Sequence, residues 1–427
     1  MDFGGPGGDN HDCPTRSLPI LSTIAAAPAN ENRRGGRGFW ARLALRWLSD
    51  IDSGDMTLVF PDGTRKTARG SKPGPSATIL VHRMRVVRRM LARGDVGFAE
   101  SYMDGDWSTP DLHAVLDFGY RNEATLMGPM TASRFVAPLI RLWHRLRANT
   151  KAGSRRNIAY HYDLGNEFYR LWLDPTMTYS SAVFEDGGRA SLAEAQTEKY
   201  RRIIRTLRIG PTHTVLEIGC GWGGFAEIAA RETGCRVVGI TLSKEQAAFA
   251  RQRIEDAGLS DRVEIRIEDY RDVRETFDHI VSIEMFEAVG EENWPVYFAT
   301  VRDRLRPGGG AVLQIITVGD ERFELYRGAV DFIQRYIFPG GMLPSNAVLA
   351  REIKAASLAL SGAERFGLSY AETLHRWYDA FVARWNEVQA LGFDERFRRM
   401  WTYYLAGCEA SFRSAACDVG QYHIIRT

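Results

Sequence analysis

From residue 214 onward, strand-like apolar runs alternate with helix-like stretches, and the first run empties into glycine: "TVLEIGCGWGG". A strand that must turn at once into a helix needs residues that accept a left-handed backbone, which explains the glycines at 219, 221, 223 and 224. The alternation continues with "GGFAEIAARETG", a helix closed by Gly234, then "CRVVGITLS", a strand. "KEQAAFARQRIEDAG" is a helix closed by Gly258; "RVEIRIEDY" and "FDHIVSIEMF" are strands. "ENWPVYFATVRDRL" is a helix, "RPGG" a turn and "GAVLQIITV" a fifth strand. Strands alternating with helices predict βαβ units in a doubly wound, mostly parallel sheet.

The upstream sequence reads differently. Residues 1–38 are a Gly-rich, apolar-poor tail, and 39–148 form a small mixed α+β domain. In that domain "MTLVFPDGTRKTA" is a hairpin with a Pro-Asp-Gly turn, and "DLHAVLDFGYRN" a helix. A basic linker, 149–157, leads to a second domain, 158–427.

With 55 Lys and Arg against 53 Asp and Glu, net charge excludes no partner class. The basic segments "VHRMRVVRRMLAR" and "RFVAPLIRLWHRLRANTKAGSRR" suit an anionic membrane surface or, equally, a solvated helix face. Five cysteines, an odd number, show no CxxC pair and no metal-ligand spacing, so no metal is expected and a reducing, cytoplasmic compartment is. The opening residues do not read as a signal peptide, and no apolar run reaches the roughly 18 to 20 residues that span a bilayer.

In an open parallel sheet, ligands bind beyond the carboxyl ends of the strands. A dinucleotide is the first alternative, but the second strand ends in "GITLS" without the acid that would hold a ribose diol. Asp269 and Tyr270, ending the third strand, would offer an adenine a hydrogen bond and a ring. Glu217 is placed to cap the glycine loop and anchor the amino-acid end of a cofactor through it. "EIGCG", "DY" and "LRPGG" in this order resemble the doubly wound S-adenosylmethionine-dependent methyltransferases.

The likeness then narrows. "YHYDLGNEFYRLWLDPTMTYSSAVF", "LEIGCGWGGFAE", "GITLSKEQ", "FDHIVSIEMFEAVG", "FIQRYIFPGGMLPS", "RWYDAF" and "FRRMWTYYLAGCEASFR" resemble the cyclopropane-fatty-acyl-phospholipid synthase family. "GFAESYMDGDW" is similar to the amino-terminal domain of its phospholipid-acting members. The resemblance implies a seven-stranded methyltransferase sheet, S-adenosylmethionine as methyl donor, and the cis double bond of a phospholipid acyl chain as acceptor. It further implies a cyclopropane product, a homodimer, a place at the inner membrane face, and no nucleic acid. Carried over by motif, cofactor contacts fall on Tyr162, Tyr179, Ser180, Gly219, Gly221, Thr241, Gln246 and Tyr270, beside Glu217, Gly223 and Asp269 read from the loop and strand ends. "YHYD", with His161 and Asp163, would shape the cofactor lid. "DFIQRYIFPGGMLP", with Phe332, Tyr336 and Phe338, would line an acyl tunnel.

Ring-forming members hold a bicarbonate base with a Cys, a Glu, a His, a backbone group near that His, and a Tyr. These positions map to Ser181, Glu287, Gln314, Ile316 and Tyr378. The Cys and the His are therefore replaced, and Glu284 and Ala288 replace a Gly and a His of the pattern. Gln314 cannot carry the positive charge of a His. Glu284 is then either a helix-start carboxylate or the negative charge that the altered anion site no longer secures. Three outcomes follow: a cyclopropane, a methyl-branched or methylene-bearing chain from the same methyl transfer, or a lipid-binding protein without catalysis.

Overall fold

The computed structural model describes residues 42–46, 48–127, 164–185 and 187–426. The basic segment 134–147, the linker, Tyr162, His161 and Asp163 lie outside the described residues.

The amino-terminal unit is a four-stranded sheet in the order β2-β1-β3-β4, formed by β1 (Ser53–Val59), β2 (Arg65–Arg69), β3 (Lys72–Val81) and β4 (Trp107–Ser108). β1 and β2 form the expected hairpin, while β1 and β3 are parallel. Helix α1 (Arg85–Met103) follows β3, and α2 (Leu112–Arg121) starts on Asp111, whose side chain accepts from Ala114 N–H.

In the stretch that reads as a basic membrane face, Arg83, Arg88 and Arg93 are exposed, while Arg85 and Arg89 are partly buried and turn toward acidic partners. Arg85 and Arg89 reach the fully buried carboxylate of Asp106, which Arg83 also contacts. Arg93 pairs with Glu100 at 2.8 Å. A buried carboxylate needs such partners to offset its lost hydration.

The larger sheet has seven strands in the order β10-β11-β9-β8-β5-β6-β7. These are β5 (Thr214–Ile218), β6 (Arg236–Thr241), β7 (Val263–Ile267), β8 (Phe277–Ile283), β9 (Leu305–Val318), β10 (Ala359–Arg365) and β11 (Cys417–Ile425). β5 to β9 are parallel, and β11 and β10 close the far edge antiparallel. The expected "RPGG" turn is instead the irregular start of β9, where its pairing with β8 slips register.

Period-two alternation assigns each strand residue to a face. Val215, Val281 and Val312 pack under α3 (Leu192–Leu207), α4 (Gly224–Thr233) and α5 (Lys244–Asp256). Leu216, Ile280 and Leu313 pack under α6 (Trp294–Arg304) and α7 (Asn346–Ala355). The order reverses between β5 and β8, so the switch point lies over the glycine turn.

Helices α8 (Gly367–Ala383) and α9 (Glu395–Arg413) join the two units. One apolar cluster runs from Met56, Trp107 and Phe118 of the small sheet to Trp172, Trp377 and Trp401. Arg399 donates to Tyr102 O and Tyr336 to Glu100 across the same boundary. Asp106→Asn should lower stability by about 2 kcal/mol, the scale of a charge-assisted hydrogen bond. Urea titration followed by tryptophan fluorescence measures it, and an unchanged midpoint would count Arg83, Arg85 and Arg89 as solvated.

Candidate active site

β5 ends at Ile218 and the chain turns through Gly219, Gly221 and Gly223, at φ of 82°, 52° and 81°. A cavity opens above this turn, lined by Tyr179, Ser180, Glu217, Gly219, Gly221, Thr241, Gln246, Asp269, Tyr270 and Glu284. Nine of the expected cofactor residues therefore converge on one space. Gly223 instead serves as N-cap of α4 behind it, where a Cβ would press 3.1 Å from that of Ala250.

The residues fit an adenosyl cofactor carrying an amino acid. A Cβ on Gly221 would meet no protein atom within 4 Å, so its missing side chain leaves cavity space. Glu217 is buried over the start of α4, near the Ala226 N–H, and its Oε2 has no hydrogen-bond partner. Burial raises its carboxyl well above the usual range. Thr241 and Gln246 bond each other at 2.9 Å on the opposite wall. Asp269 is held by both guanidinium arms of Arg271, at 2.8 and 2.7 Å.

The second part of the site gathers around Glu284. It stands one residue past β8 with φ of 49°, a left-handed backbone that costs a side-chain-bearing residue about 1 to 2 kcal/mol. Its carboxylate is the centre of four elements. Oε1 accepts from Ser181 N–H at 2.8 Å and from Gln314 Nε2 at 2.7 Å. Oε2 accepts from the Tyr370 hydroxyl at 2.7 Å. Gln421 Nε2 donates to Gln314 Oε1 at 3.1 Å, which turns the amide so that its NH₂ faces Glu284. The Ser181 hydroxyl donates to Ala182 O, so Ser181 serves the site through its backbone.

Glu287 lies one turn on. Its Oε1 accepts from Ile316 N–H at 2.6 Å, while Oε2 has no partner. Burial, then the charge of Glu284, pushes its carboxyl up to about 8. Burial also raises Glu284, but nearby Lys199, Tyr370, Gln314 and Ser181 pull it back. The donors around Glu284 favour its charged form, whereas burial and the neighbouring carboxylate favour the protonated form of Glu287.

Ser181, Glu284, Glu287, Gln314 and Ile316 thus meet as expected. Tyr378 does not join them. It lies two turns further along α8, with its ring 4.3 Å from that of His113 and edge-on to it. The tyrosine at the anion position is Tyr370, in "LSYAETLHRW", which the motif reading passed over for the later "RWYDAF". Lys199 was also missed: it is fully buried and donates to Ser180 Oγ at 2.6 Å. The only sequence signal for Lys199 is a lysine inside an apolar helix face.

Residues 149–422 match the family model of mycolic acid cyclopropane synthetase. A tuberculostearic acid methyltransferase of Mycobacterium tuberculosis is 40% identical over 87% of this chain and 88% of its own length. The cyclopropane-fatty-acyl-phospholipid synthase of Escherichia coli K12 is 38% identical over 82% of this chain and 88% of its own. The crystal structure of a mycolic acid cyclopropane synthase complexed with SAH and CTAB superposes with a TM-score of 0.60 at 33% identity, covering 64% of this chain and 98% of that one. The chain belongs to the mycolic acid cyclopropane synthetase family, and its class is that of S-adenosylmethionine-dependent methyltransferases.

The loop supplies a direct test. A Cβ on Gly219 would strike the Met285 side chain 2.7 Å away, so Gly221, facing open cavity, is the cleaner position. Gly221→Asn, whose side chain fills the cavity and which tolerates a φ of 52°, should abolish S-adenosylmethionine binding in calorimetry while circular dichroism stays unchanged. A folded variant with unaltered affinity would remove this loop from the cofactor site.

Proposed function

We propose that this enzyme transfers the methyl group of S-adenosylmethionine to the cis double bond of a phospholipid acyl chain, and that Glu284 stands where ring-forming relatives hold a bound anion. The supporting observation is the Glu284 carboxylate, tied at both oxygens by Ser181, Gln314 and Tyr370. The cofactor, when bound, supplies an electrophilic methyl carbon. The electron pair of the double bond forms the new carbon–carbon bond as the sulfur–carbon bond breaks, leaving a carbocation on the neighbouring carbon of the chain.

That cation needs negative charge, aromatic faces and exclusion of water. Glu284 provides the charge. Tyr179, which lines the cavity, packs against Trp377 and Phe338, and its hydroxyl meets that of Tyr404. Loss of a proton to Glu284 ends the reaction. A proton leaving the transferred methyl would close a cyclopropane; one leaving an adjacent chain carbon gives an unsaturated methyl-branched chain, and a hydride shift from the methyl-bearing carbon, followed by loss of a methyl proton, gives a methylene. A carboxylate anchored to the end of β8 cannot follow the methyl group as a small bound anion can, so we assign the second outcome. The cyclopropane reading is favoured by the Escherichia coli relative.

The acyl chain reaches the site from a membrane surface in this reading. No helix among the described residues is long and apolar enough to cross a membrane, and Leu325 and Leu368 are 56% and 71% exposed. A cytoplasmic, inner-face position and a homodimer remain part of the same proposal.

Glu284→Gln keeps the size and removes the charge, so turnover should fall by a factor of roughly 100 to 1,000. Ser181→Cys, Glu284→Gly and Gln314→His together rebuild the ring-forming pattern and relieve the left-handed backbone. Lipids from a host lacking its own synthase, analysed by mass spectrometry, should shift from methylene or methyl-branched chains to cyclopropanes, with activity now responding to bicarbonate. An unaltered enzyme that makes only cyclopropane and requires bicarbonate refutes the role given to Glu284.

The carboxylate pair adds a pH signature. Glu287 is neutral below about 8 and charged above it, so kcat/KM should bend near that pH. Glu287→Gln mimics the protonated form and should remove the bend while keeping activity within about tenfold at neutral pH. A hundredfold loss there would make the Glu287 charge itself essential.

A further inference from the structure

Three side chains from three helices converge where the amino-terminal unit meets α8 and α9. His113 of α2 places Nδ1 2.8 Å from Glu409 Oε2, and His375 of α8 places its Nδ1 3.2 Å from the same oxygen. The three ligating atoms lie within 4.8 Å of one another. We propose that His113, His375 and Glu409 form a binding site for one borderline divalent cation of the zinc class, with water completing the coordination.

The donor set fits that ion. Two imidazoles and one carboxylate oxygen make a three-ligand zinc site, and nitrogen donors select against magnesium and calcium.

The surroundings fix the ligands as metal sites require. Arg413 Nε binds the other oxygen of Glu409 at 2.7 Å, leaving Oε2 aimed at both rings. His375 places its second nitrogen, Nε2, 3.7 Å from Asp379 Oδ2, beyond hydrogen-bond distance but near enough for that carboxylate to swing onto the ring once an ion is bound at Nδ1. Tyr378 packs edge-on against the His113 ring. The His375 side chain is 42% exposed, which gives the ion an entry path and room for water. The ligands come from both units of the molecule, so a bound ion would tie α2 to α8 and α9. Sequence spacing conceals the site, because no two of the three are near neighbours in the chain.

The test uses the full-length protein, stripped with a chelator and titrated with Zn²⁺ or Co²⁺ alone. One equivalent should bind, Co²⁺ should give visible absorption, and Zn²⁺ should raise the thermal midpoint. Losing an outer-shell partner costs metal sites about 10- to 100-fold in affinity, so Asp379→Ala should weaken binding by about tenfold, and His375→Ala or His113→Ala by at least about 100-fold. Should His113→Ala fail to fold, the exposed His375 carries the test. Absence of stoichiometric binding, or binding unchanged in His375→Ala, overturns the proposal and leaves a hydrogen-bonded ion cluster. The readout is independent of which lipid product the enzyme makes.

Discussion

The carboxylate of Glu284 is the interaction on which the chemical half of this molecule depends. Its backbone stands in a left-handed conformation that glycine would take without cost. Three hydrogen bonds to the carboxylate, each about 1.5 to 3 kcal/mol when the acceptor is charged, outweigh that strain. A glycine-to-glutamate change at a strand end would otherwise only destabilise. Here the side chain lands among donors supplied by the segment after Tyr179, by β9 and by α8.

The second layer favours the charged form of Glu284 over that of Glu287. Two nearby carboxylates in a low-dielectric site do not both ionise at neutral pH. Glu284 receives three donors and lies near buried Lys199, whose ammonium is pushed down to about 7 by burial and favours the Glu284 carboxylate when protonated. Glu287 receives only the Ile316 N–H. Lys199 and Gln196, one turn apart on α3, hold Ser180 through its hydroxyl and its carbonyl. That grip fixes the residue before Ser181, so the cofactor wall and the Glu284 site share one support.

Much of this was legible in sequence because it rests on local rules. Period-two alternation and helix-ending glycines gave β5 to β8 and the ends of α4 and α5, where Gly234 and Gly258 adopt φ of 75° and 67°. The strand-end positions of Glu217, Thr241 and Asp269 followed from the same pattern. The misses are of another kind. Tyr370 and Tyr378 have equal claims by residue type, and only the placement of α8 against α9 and β11, which brings the Tyr370 hydroxyl to Glu284, decides between them. The arginines of 83–93 share one basic pattern, and the sequence does not show that Arg83, Arg85 and Arg89 meet the buried Asp106 while Arg88 stays exposed. Lys199 and Gln421 act through partners far away in the chain, which no local pattern reports.

The shared apolar cluster gives the small unit a role that its own sheet does not reveal. Trp107 and Phe118 pack into the cluster that contains Trp377 and Trp401, and Glu100 anchors Tyr336 beside the wall formed by residues 331–344. Tyr370 and Trp377 lie on one helix, α8, so the Glu284 carboxylate and the aromatic wall are contacted by a single element. That helix is in turn held by α9, which packs against α2. A displacement of the amino-terminal unit would therefore move the donor to Glu284 Oε2 and the faces that shield a cation together. Coupling of this kind makes the small unit part of the active-site architecture, even though none of its described residues lines the cofactor cavity.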